Sequence, residues 1–140
     1  MKRHTWQTVA FLVVLLATAA AAVGQSDLGV LAADIPFPFV VANHTLPPGH
    51  YELSAIGDQG VIYIVGSHNP GAFARTLKVE RSAPESSGKI VFHRYQDTYF
   101  LTQIWPPTQR MGKQLYKSDA EEELESLKTN KDDIVLRAQK

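Results

Sequence analysis

Residues able to do chemistry are sparse in this chain, and the histidines are the first to weigh. His44 and His50 flank Leu46-Pro47-Pro48-Gly49, and His50 and Glu52 fall at i, i+2, on one face of any strand that follows the turn. Two imidazoles and a carboxylate can hold a divalent transition metal. His44, His50 and Glu52 are therefore a candidate metal triad, of the kind a small cupin-like metal-dependent enzyme would use. Against this, the spacing matches no stringent ligand pattern, and polar residues gather beside turns because turns are wet. The metal enzyme stands as the alternative reading, and no other cofactor is expected.

Nucleophilic and carboxylate chemistry have less to build on. His93, Tyr95 and Asp97 alternate along one segment, and Ser82, Ser86 and Ser87 could be nucleophiles, but no Gly-x-Ser-x-Gly sets a serine on a strained turn. Pairs among Glu52, Asp58, Glu80 and Asp97 fix no carboxylate separation from sequence alone. With 0 cysteines, thiolate metal sites, disulfides and cysteine nucleophiles are all excluded. Tyr63, Tyr95, Tyr99, Phe100 and Trp105, with His93 among them, form a different kind of candidate. Flat rings on an open sheet face can stack on the apolar face of a sugar or dock a protein, although aromatic residues in strands usually pack a core. Asn43-His44-Thr45 satisfies the N-glycosylation triplet at a turn.

The elements that must carry these residues read as strands. Ile35, Phe37, Phe39 and Val41 alternate with Pro36, Pro38, Val40 and Ala42, which predicts an edge strand whose open flank is blocked by proline. Pro48-Gly49 suits a type II turn, returning residues 51–56 along that first strand. Gly57-Asp58-Gln59-Gly60 is a second turn, and the unbroken run of residues 61–65 predicts a strand buried on both faces. Phe73, Arg75, Leu77 and Val79 predict a strand with a mostly apolar face, and residues 81–88 a polar loop. Residues 89–95 and 98–105 predict a hairpin through Gln96-Asp97. A two-residue loop there sets Phe92 opposite Leu101 and His93 opposite Phe100. Pro106-Pro107 ends that strand. Ser118 then opens a helix over 118–128, with Glu121 completing a capping box and Ala120, Leu124 and Leu127 as its packing stripe. Residues 134–136 predict one more short strand.

Ile35-Pro36-Phe37-Pro38-Phe39, Leu46-Pro47-Pro48-Gly49-His50-Tyr51 and the run from Phe92-His93-Arg94-Tyr95 through Tyr99-Phe100-Leu101 to Trp105 resemble a group of small, uncharacterised secreted bacterial β proteins. These share an F-x-F … L-P-x-G-x-Y opening, a Y-x-x-x-Y-F-L-x-x-x-W hairpin and a similar helix. The resemblance covers most of the chain after its first 24 residues and implies export and a β fold, with no activity, ligand or catalytic residue to carry over. A glycine commonly stands in that group where this chain has Gln96.

At the amino terminus, Lys2, Arg3 and His4 precede the uncharged apolar run of residues 9–23, and small residues gather at Ala20, Ala22 and Gly24. This is the layout of a secretory signal, shorter than the roughly 20 apolar residues of a membrane anchor. The expected organisation is a signal peptide over 1–24, cleaved near Ala22 to Gly24, a β domain over 25–117, and a helix and tail over 118–140. Cleavage removes Lys2 and Arg3 and leaves 12 basic against 14 acidic residues, a net charge of −2. Such a surface gives a nucleic acid no global electrostatic attraction. Taken together, the residues predict an all-β fold, a mainly antiparallel β sandwich of about six to eight strands with one C-terminal α-helix. The expected function is non-catalytic: an exported, periplasmic or secreted, binding or accessory module. It would meet an unknown protein or glycan of the cell envelope through an aromatic sheet face or a strand edge, with no membrane span after cleavage.

Overall fold

The computed structural model describes residues 29–56 and 59–140; the expected signal peptide and the first half of the Gly57-to-Gly60 turn lie outside the described residues. The chain is all-β with one C-terminal helix. In order the elements are β1 (Val30–Ile35), β2 (Phe39–Val41), β3 (His44–Leu46), β4 (Gly49–Ile56), β5 (Val61–Gly66), β6 (Ala72–Glu80), β7 (Gly88–Tyr95), β8 (Thr98–Trp105), β9 (Met111–Leu115), α1 (Asp119–Ser126) and β10 (Lys131–Ala138). Among the described residues no helix is long and apolar enough to cross a membrane.

Antiparallel pairing runs β1-β4-β5-β6-β9-β8-β7-β10. A final bridge then joins the ends: Ala32 N–H donates to Gln139 O at 2.7 Å and Gln139 N–H to Ala32 O at 2.8 Å. The sheet thus returns on itself around one core, built from Leu31, Ile35, Phe39, Tyr51, Leu53, Ile62, Ile64, Ile90, Phe92 and Ile104 among others. The small β2–β3 hairpin hangs off this circuit. β8 is bordered along one edge by β7 and shares the other between a parallel pairing with β2 at Tyr99 and Phe100 and an antiparallel one with β9 at Gln103 and Ile104. That parallel pairing makes the sheet mixed.

Among the described residues ten strands form where six to eight are expected. β1, β3 and β9 account for the excess, and each is hidden for a reason. β1 is rich in alanine and β9 holds Gly112, Lys113 and Gln114, compositions with poor β preference, and β3 has only three residues. Ile35 to Val41 is not one edge strand. β1 ends at Ile35 and β2 begins at Phe39, because Pro36 and Pro38 lack the N–H groups that a ladder needs. The Pro-Phe-Pro link carries the chain from beside β4 to beside β8, and Phe37 stacks on Tyr99 with centroids 3.9 Å apart. The chain does reverse at Pro47-Pro48, but β4 pairs with residues 30–35 of β1, Tyr51 opposite Ala33, and not with the Phe39–Val41 segment, which pairs with β3 and β8. The hairpin register also agrees: Phe92 faces Leu101 and His93 faces Phe100. Gln96 takes φ +54° there, the conformation that a glycine would adopt without strain. The ladder slips by one residue past Val91, where Thr102 Oγ1 donates to Val91 O at 2.9 Å, and the bulge lets both Leu101 and Ile104 reach the core.

One sidedness expectation is overturned, and a second strand is sided against its hydrophobic pattern. β5 is not buried on both faces: Ile62 and Ile64 are inside, while Val65 is exposed and Val61 and Tyr63 are half-buried. In β6 the large apolar residues point outward, and the core receives Ala72, Ala74 and Thr76 instead. Small residues there leave room for the bulky side chains of the facing strands.

Ser118 caps α1 as expected, its Oγ accepting from Glu121 N–H at 3.2 Å. The packing stripe is a correction. Ala120 and Leu127 are exposed, and the one buried helix residue is Glu121. β10 extends well beyond the expected residues 134–136, pairing over its full length with β7. The tail is therefore part of the sheet.

Candidate functional site

The aromatic candidates separate into three places. Tyr95 and Phe100 are buried together on the outer face of the β7–β8 hairpin, edge to face with centroids 5.8 Å apart. His93 lies beside them, and its Nδ1 is 2.7 Å from Glu121 Oε1 of α1, with its Nε2 3.7 Å from Asp133 Oδ1. The carboxylate is 3% exposed, so this contact docks the helix. The Tyr95 hydroxyl has no hydrogen-bond partner among the described residues, and burial first, then the Glu121 charge, pushes its pKa above the ordinary 10.0. These three residues form a covered structural cluster. Tyr99 belongs to a second place, inside, stacked against Phe37.

Tyr63 and Trp105 occupy the third, the outward face of β5-β6-β9-β8. The register carries this face from Tyr63 to Phe73, directly opposite on β6, then through Leu77 beside Gln114 and Val79 beside Gly112 to Trp105. Tyr63 and Phe73 are stacked, with centroids 4.4 Å apart at 24°. Gly112 is required under the indole, since a Cβ at that position would collide with the Trp105 ring. The Arg81 guanidinium lies 5.3 Å from the indole centroid, and Trp105 Nε1 donates to Gln103 Oε1 at 3.1 Å. Phe73 is 60% exposed, Leu77 49% and Tyr116, just past β9, 50%.

Phe73, Leu77 and Tyr116 are absent from the aromatic set read from the sequence, because the β6 pattern does not say which face meets water and β9 carries no strand signal. Arg75 was the available signal. A guanidinium on that stripe would be costly to bury without a carboxylate, whereas the alternating Ala72, Ala74 and Thr76 need no solvent. Tyr116 extends the β9 ladder, donating its N–H to Arg75 O at 3.2 Å, and the Arg75 guanidinium sits 5.6 Å from the Tyr116 ring centroid. Beside this pair a groove of about 360 Å³ opens between the Ala42–Asn43 turn, the outer face of β6 and the link from β9 to α1.

The metal triad is not brought together. His50 Nδ1 lies 2.8 Å from Asp34 Oδ1 on the neighbouring strand β1, and His44 is on the separate β2–β3 hairpin. Among the described residues no group of three or more His, Asp or Glu could hold a metal ion. Comparison with known family models, with curated proteins and with solved structures returned no match to this chain.

Proposed function

We propose that this protein is an exported, non-catalytic binding module that engages a component of the cell envelope through the outward face of β5, β6, β9 and β8. The observation that carries the reading is the sidedness of β6. A strand that turns Phe73 and Leu77 to water while giving alanines to the core forgoes burial of about 1.5–3 kcal/mol per large side chain. Aromatic rings lie on that same face, with Tyr63 and Tyr116 beside Phe73 and Trp105 at the far end of the strand beyond Leu77, and exposed apolar surface of this kind marks interaction sites. Export rests on the basic, apolar amino-terminal segment with its small-residue cleavage positions.

The test is retention of the protein on envelope material from the source cells, comparing wild type with a Phe73→Ser, Leu77→Ser double variant. Both side chains are exposed, so the circular-dichroism spectrum and melting temperature are expected to hold while retention falls to background. Equal retention of the two proteins, or none of the wild type, would refute the assignment. The mass of the protein recovered from the exported fraction should correspond to a chain beginning within a residue or two of Gln25.

A further inference from the structure

The groove beside Phe73 is at the small end of ligand-sized clefts, and its lining restricts what could occupy it. Two aromatic side chains border it, Phe73 and Tyr116, 60% and 50% exposed, with Tyr63 stacked on one face of Phe73 and the Arg75 guanidinium over the Tyr116 ring. Between them stand three polar side chains of different kinds: the Asn43 amide, which both donates and accepts, the Arg75 guanidinium, which only donates, and the Asp119 carboxylate, which only accepts.

The charges nearly cancel. Lys117 also lines the groove, but its ammonium is bound to Glu125, which raises the lysine pKa and lowers that of the carboxyl. Arg75 and Asp119 then offset one another. A strongly anionic ligand gains no net attraction here, and a wholly apolar one would strand Asn43, Arg75 and Asp119 without partners at a cost for each. A ligand with a flat C–H face and a rim of hydroxyl groups meets both demands. Its face covers the aromatic rings, and its hydroxyls donate to Asp119 and accept from Arg75 and Asn43.

We infer that the groove binds a neutral saccharide, seated on Phe73 and Tyr116 and held by Asn43, Arg75 and Asp119. This rests on the reading of the outward face given above and names its ligand class. Tyr63, stacked on Phe73, and the exposed Leu77 continue the apolar surface beyond the groove, so a chain of sugars finds further contact. Oligosaccharides should therefore bind more tightly than the corresponding monosaccharide.

The experiment pairs two measurements on the same protein. In the first, retention on envelope material is compared before and after periodate oxidation, which cleaves sugar diols and leaves polypeptide largely intact. In the second, cellohexaose, chitohexaose and mannohexaose are titrated as competitors of that retention and followed by amide shifts at Asn43, Arg75 and Tyr116, with hexagalacturonate as the charged comparator. The expected result is loss of retention on oxidation, competition by at least one neutral hexamer in preference to the charged one, and about tenfold weaker competition with Tyr116→Ala, the loss of one stacked face. Val135→Ala, exposed on β10 away from the groove, should bind as wild type. Retention that survives periodate yet still depends on Phe73 overturns the saccharide and leaves the surface with a protein partner. Retention indifferent to Phe73 removes both readings together.

Discussion

Tyr95 shows how one side chain can sit well and badly at once. Its ring fills the space between Phe100, His93 and α1, but its hydroxyl is enclosed without a hydrogen-bond partner among the described residues. Leaving a hydroxyl so placed costs on the order of 1–3 kcal/mol, and Tyr95→Phe is expected to raise unfolding free energy by about 1 kcal/mol in urea titrations at neutral pH. The same burial makes stability depend on alkali. A phenol whose pKa is raised by folding binds more protons in the native state than in the unfolded one, so stability is full below the ordinary value of 10.0 and falls as pH climbs through that value toward the raised one. Tyr51, also raised by burial, has the same sign, and its hydroxyl donates to Pro47 O at 2.6 Å. Tyr95→Phe should flatten part of the alkaline decline, and Tyr51 should maintain the rest. An unchanged alkaline profile in the variant would refute the assignment to Tyr95.

At the level of elements, α1 is attached by polar contacts where an apolar stripe is the ordinary means. Its capping serine was legible from Ser118 and Glu121, since that pairing is local and needs no knowledge of neighbours. The destination of the Glu121 carboxylate was not, because His93 lies 28 residues away and only the hairpin register and the helix position together bring them into reach. Local turn chemistry likewise revealed the turn at Pro48-Gly49 and the β7–β8 register, whereas the strand that β4 would join and the sidedness of β6 depended on distant partners. Glu121→Ala leaves His93 Nδ1 without its hydrogen-bond partner at a half-buried site and should cost about 2 kcal/mol, by the usual worth of a hydrogen bond to a charged group. Amide exchange is expected to rise in α1 first, ahead of the β7–β8 hairpin, and uniform loss of protection across both would contradict a docking role confined to the helix.

For the molecule as a whole, the seam between β1 and β10 is the least supported join in the circuit. Other neighbours in the circuit share four to eight residue pairs, apart from β8 and β9, which share two, while β1 and β10 meet at one bridge. Asp132, Asp133 and Arg137 populate the flank of β10, the kind of charged edge that discourages pairing with a second molecule. Gln139→Pro deletes one of the two seam hydrogen bonds without touching the core and should lower stability by about 1–2 kcal/mol, read as an earlier thermal midpoint with an unaltered far-ultraviolet spectrum. No shift would mean that the bridge holds nothing. The seam also orders events in time. Residue 32 must wait for residue 139 before the circuit can shut, and contacts this distant in sequence are slow to form. Until the end of β10 arrives, Ala32 keeps an open N–H and C=O on the outer edge of β1, so the other pairings can assemble while the seam stands open.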